Sequence, residues 1–118
     1  MFAERGELFR DTSAKEATLR VDKAAMRDVV AGQVAALAQL DLASIEQLPP
    51  VTEVVSSLNN ATVTQYHALM SEGRHMVVVQ AFRRRGLGMF SEIEVDGFVL
   101  ESDGTKRPLA EPEKWDFT

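Results

Sequence analysis

The chain contains no cysteine. Disulfides, thiolate metal sites and a cysteine nucleophile are excluded together, and the absence fits a reducing compartment. No apolar run approaches the roughly 20 residues that a membrane-spanning helix needs, so no membrane association is expected. The opening Met1-Phe2-Ala3-Glu4-Arg5-Gly6-Glu7 carries acids where an export signal carries basic and then apolar residues. The expected location is the cytoplasm, most simply that of a bacterium.

Catalytic signatures are missing as well. Neither Gly-x-Ser-x-Gly nor His-Glu-x-x-His occurs. Gly86-Leu87-Gly88 lacks a third glycine and opens no helix, so it supports neither a dinucleotide site nor a Walker site. The segment around Asp103-Gly104 lacks the acid spacing of an EF-hand loop. Asn60-Ala61-Thr62 matches a glycosylation triplet, which means nothing without export. No catalytic residue, metal ligand set or cofactor is therefore assigned. Internal repeats, low-complexity tracts and linkers are absent too, and residues 1–118 are expected to form a single domain.

What is present is an ordinary globular composition in 118 residues, 45% hydrophobic. At this length roughly two thirds of the unfolded chain's surface is buried on folding, enough for one core without staples. The net charge of −5 aids solubility and opposes non-specific attraction to nucleic acid or anionic membrane.

Periodicity divides the chain into a helical first half and a β-rich second half. Phe2, Leu8 and Phe9 fit one face of a short helix; Glu16 to Val21 alternates as a half-buried strand does, with a helix running on into the next segment as the alternative. From Lys23 to Leu40, Met26, Val30, Val34, Leu37 and Leu40 form one helical stripe, and Asp22 is a good N-cap. Leu42, Ile45 and Leu48 make a shorter helix, ended by Pro49-Pro50. Val51, Val54, Val55 and Leu58 then repeat the helical spacing. Thr62 with Gln65 matches a capping box, opening a helix with Tyr66, Leu69 and Met70 inward and Gly73 as its stop.

The sheet is expected from His75 onward. Met76-Val77-Val78-Val79 is apolar on both faces and reads as a central strand covered twice. Phe90 to Asp96 alternates, with Glu92, Glu94 and Asp96 lining a wet face. Asp96-Gly97 signals a two-residue hairpin, with Phe98-Val99-Leu100 returning. Ser102-Asp103-Gly104 is a further turn, and Pro108 fits an edge strand. Pro112 opens a helical turn in a tail whose Trp115 and Phe117 pack down. The expected fold class is α+β: a helical N-terminal half on a small antiparallel sheet of about three to four strands, formed mainly by residues 75–108. Phe2, Trp115 and Phe117, or a second copy, are expected to cover the sheet face that the helices leave open.

Three groups of residues merit functional weight. Arg83-Arg84-Arg85 on a glycine-rich hairpin loop have the chemistry to grip phosphate through bidentate guanidinium pairs. The acidic balance instead favours pairing with Glu92 and Glu94. Tyr66, His67, His75 and Glu92 are the candidate lining of a small-ligand or catalytic pocket. Glu92, Glu94 and Asp96 read as a row that guards an exposed sheet against aggregation. The leading expectation is a small non-enzymatic interaction or accessory protein that forms a homodimer and engages a protein partner. The alternatives are a nucleic-acid-binding accessory protein using Arg83 to Arg85, and a ligand-binding protein or enzyme with a pocket near His67 and His75.

Overall fold

A computed structural model describes residues 23–55, 58, 61–85 and 90–118. The helix and strand expected before residue 22 lie outside the described residues, as do Phe2 and the Gly86-Leu87-Gly88 tip. Among the described residues, no helix is long and apolar enough to cross a membrane.

The first described element, α1, is helical over residues 23–38. Its stripe is the expected one: Met26, Val30 and Leu37 are buried, with Val29, Val34, Ala38 and Leu40 packed around them. Helical spacing puts these residues on one side and Lys23, Arg27, Asp28 and Gln39 on the other. Gly32 sits on the outer face, where a Cβ would meet nothing within 4 Å. It is a tolerated surface glycine and marks no close packing. Lys106 caps the end of the helix by donating to the carbonyls of Ala38 (2.8 Å) and Leu40 (3.0 Å), the favoured place for a cation against the helix dipole. The next helix, α2, spans Leu42–Glu46; the Asp41 carboxylate caps it by accepting from Ser44 N at 2.9 Å, and Ile45 is buried beneath it.

Among the described residues, all strands belong to one five-stranded antiparallel sheet, ordered β1-β2-β3-β4-β5. They are β1 Val51–Val54, β2 Ala61–Leu69, β3 His75–Arg85, β4 Phe90–Leu100 and β5 Lys106–Pro108. Among the described residues, helices are fewer and strands more numerous than the periodicity implied, because 51–54 and 61–69 are β-structure and not helix. Val51, Thr52, Val54 and Val55 are β-branched, and such side chains lose rotamer freedom in a helix while fitting a pleated surface. Thr62, Val63 and Thr64 repeat that preference in β2, where Val63 and Gln65 are buried and Thr62 is exposed. Gly73 stops no helix. With φ of +72°, beside Glu72 at +63°, it turns the chain from β2 into β3.

The central strand is as expected. Val77, Val78 and Val79 are all fully buried, with β2 on one side and β4 on the other. Val77, Val79 and Ala81 join Val63, Phe98, Leu100 and the stripe of α1 in the larger core. Gln33 Nε2 donates to the buried Gln65 Oε1 at 3.1 Å, tying α1 to this face. Val78 and Val99, on the opposite face, are covered by Leu109, with Tyr66, Met70, Met76, Val95 and Phe117 around them.

Two expectations within β4 are corrected. Asp96-Gly97 makes no hairpin: β4 runs through it, with Asp96 opposite Val79 and Gly97 opposite Val78. The acid row faces the helices and is not simply wet. In antiparallel register, directly opposed residues share a face, so Glu92, Glu94 and Asp96 lie with Arg83, Ala81 and Val79. All three are half-buried; Glu94 meets Arg27 of α1 at 3.8 Å.

Pro108 sits in the edge strand β5, as its missing N–H requires. The tail then forms α3, Glu111–Lys114, and a 3-10 turn, Trp115–Phe117. Phe117 packs on Tyr66 with ring centroids 5.1 Å apart, and its carbonyl accepts from Gln80 Nε2. Trp115 does not pack down; it is 68% exposed.

Arg107 anchors this tail. It donates to both carboxylate oxygens of Glu113, at 2.7 and 3.0 Å, and to Glu101 at 2.8 Å. The Arg107 bonds, with the Ala110 amide also donating to Glu113, hold the Glu113 carboxyl down at about 2 from an ordinary 4.5. A depressed carboxyl stabilises the fold above its ordinary value, and the contribution disappears as pH falls through the folded value. Tail docking is therefore expected to weaken as pH drops from about 5 toward 2. Thermal melts should show the difference between wild type and Glu113→Gln shrinking over that window; a constant difference would refute the assignment.

Candidate functional site

Arg83, Arg84 and Arg85 are not in a loop. They form the last three residues of β3, opposite Glu92, Ser91 and Phe90 of β4. Strand alternation therefore sends Arg83 and Arg84 to opposite faces. Arg83 lies on the helix face, nearly buried, and its guanidinium pairs with the Glu92 carboxylate. Arg84 is exposed on the other face, its guanidinium carbon 6.0 Å from the centre of the Phe82 ring, within cation–π range. Arg83 and Arg84 do not present one common phosphate clamp, and Arg83 is already paired.

The four candidate pocket residues separate into three places. His67 and His75 come together: His67 Nε2 lies 2.9 Å from His75 Nδ1, with rings stacked at 15°. His67 Nδ1 is also 2.9 Å from the Leu48 carbonyl. A carbonyl only accepts, so that nitrogen carries the hydrogen. The facing pair then shares one hydrogen between Nε2 and Nδ1. The pair thus ties the end of α2 to β2 and β3.

Tyr66 neighbours His67 in β2 and so lies on the opposite face. There its hydroxyl donates to Gln80 Oε1 at 3.4 Å. Glu92 is opposite Arg83, eight positions along β3 from His75, a separation of about 26 Å at strand rise. Among the described residues, no three histidines or carboxylates converge on a metal-sized site.

A different region emerges around the first strand. Among the described residues, the exposed large apolar side chains are Leu42 (50%), Val51 (60%), Val55 (99%), Leu69 (70%) and Trp115. Val51 and Val55 belong to β1 and the residue after it, Leu69 ends β2, and Leu42 opens α2. Among the described residues, β1 has a strand neighbour on one side only. Its open side carries unpaired backbone groups, a ready template for a further strand. These residues escaped the sequence reading because a helical repeat placed Val51, Val55 and Leu69 inward. The signal that could have found them is the β-branched cluster immediately after Pro49-Pro50.

Compared with protein-family models, curated proteins and solved structures, the chain matches none.

Proposed function

We propose that the protein is a small non-enzymatic interaction module that works through the β1 side of its sheet and associates with itself. The observation that carries this reading is the exposure of Val51 and Val55 along β1, beside a sheet edge with no second strand among the described residues. Exposed apolar side chains grouped beside polar surroundings mark association sites. The edge adds backbone hydrogen-bonding groups to that apolar surface.

The basic ribbon favours a nucleic-acid role less. Arg83 is committed to Glu92, and Glu94 and Asp96 share its face, which opposes phosphate binding there. The dispersal of Tyr66, His67, His75 and Glu92 likewise gives a catalytic reading no common centre.

The test is a photo-crosslinking residue placed at Val55 and, as a control, at Asp103 in the turn before β5. Crosslinks to a second polypeptide should form from position 55 and not from position 103. Equal labelling at both positions, or none at 55, overturns the proposal.

A further inference from the structure

We infer that two copies of this chain join by antiparallel pairing of their β1 strands across a twofold axis at Thr52, making one continuous ten-stranded sheet. This rests on the reading above and names the partner and the register.

The backbone supplies the first argument. His67 N donates to Pro50 O at 3.0 Å, so the Pro50 carbonyl points at β2. Along an antiparallel strand these groups alternate in direction. The N–H and C=O of Val51 and Glu53 therefore point to the open side. A twofold axis normal to the sheet, centred on Thr52, sets Val51 of one copy opposite Glu53 of the other. Those are the residues whose groups are free to bond. The axis keeps each face continuous, so both helical layers lie on the same side.

Charge and proline then remove the competing arrangements. A register centred on Glu53 would face that carboxylate with its own twin, which is unfavourable. One centred on Val51 would bring Glu53 opposite Pro49, which has no N–H to give on that side. Beside the three-residue edge strand β5, the sheet's other open margin among the described residues is the outer side of β4. There β5 pairs only with Phe98–Leu100, so the stretch from Phe90 to Val95 has no second strand among the described residues. Any symmetric register centred from Glu92 to Val95 places an acid opposite an acid: Glu92 against itself or Glu94, or Glu94 against itself or Asp96. The acid row keeps that margin from self-pairing, and the β1 margin, with one acid that the Thr52 register sets against valine, does not. Val51, 60% exposed in the single chain, is covered by the contact.

The register makes a sign-dependent prediction that a merely sticky surface does not. Val51 faces Glu53 of the second copy, so Val51→Glu sets like charges opposite each other and Val51→Lys sets opposite ones. Sedimentation equilibrium of the full chain at low salt should show a wild-type dimer in the micromolar range. Val51→Glu should raise the dissociation constant at least tenfold. Val51→Lys should leave it unchanged or lower it, with the difference from wild type fading at high salt. Circular dichroism melts check that both variants fold. If both substitutions weaken association alike, the register is wrong. A wild type that stays monomeric to hundreds of micromolar ends the twofold pairing. If position 55 still crosslinks to another protein, the interaction reading survives that loss.

Discussion

Replacing Gly97 by alanine is expected to destabilise the protein by about 3 kcal/mol or more, the upper end of overpacking costs. Gly97 occupies the middle of a paired ladder, opposite the fully buried Val78. A Cβ built there would lie 2.1 Å from the Val77 carbonyl oxygen and 3.0 Å from Val78 Cα. Both are backbone atoms of the central strand, so no side-chain rotation relieves the clash. It would also lie 3.1 Å from Leu109 Cδ1, the residue that closes the second core. The β3–β4 pairing and the tail contact should loosen together. Urea denaturation gives the measurement. A loss under 1 kcal/mol, the scale of an ordinary surface change, would mean that β3 and β4 are not this close.

Arg83→Ala is expected to cost about 2 kcal/mol, and Arg84→Ala under 0.5 kcal/mol. The two residues are adjacent and chemically identical; only their faces differ. Arg83 is nearly buried against Glu92, and removing it breaks this half-buried pair on the helix face. Arg84 stands in solvent over Phe82. Its contribution is the small one of an exposed cation–π contact. Combining Arg83→Ala with Glu92→Ala should cost less than the sum of the two single losses, because the residues act as a pair. Equal effects at positions 83 and 84 would contradict the face assignment. The contrast also bears on any nucleic-acid assay: substituting all three arginines together would damage the fold, and only Arg84→Ala tests surface charge cleanly.

Much of this architecture was legible from residue order. The stripe of α1, the Asp41-led short helix, the doubly dry valine run of β3, the turn at Ser102-Asp103-Gly104 and the edge proline all follow from local rules that agree with the global fold. The errors arose where two local signals conflicted. Val51, Val54, Val55 and Leu58 carry helical spacing and strand-favouring side chains at once, and the sheet beside them decided for strand. Thr62 with Gln65 imitates a helix start, yet Val63 and Gln65 are buried in a paired strand and Gly73 serves a turn. Asp96-Gly97 imitates a hairpin because the same pair suits a turn. In this chain the glycine is needed for close approach to Val77, and the Asp96 carboxylate folds back onto Gly97 N at 2.8 Å. The candidate site was the least legible part. Nothing in residue order says which arginine meets Glu92, or that His67 and His75 sit together while Tyr66 and Glu92 do not.

The strands lie across the sheet in the order in which they leave the ribosome. Every ladder is therefore a hairpin between chain neighbours, and none waits for a distant partner to arrive. Short-range closure of this kind favours rapid assembly. It also grades the durability of the finished sheet: amide hydrogens of β3, flanked on both sides, should exchange last, and those of the short edge strand β5 first.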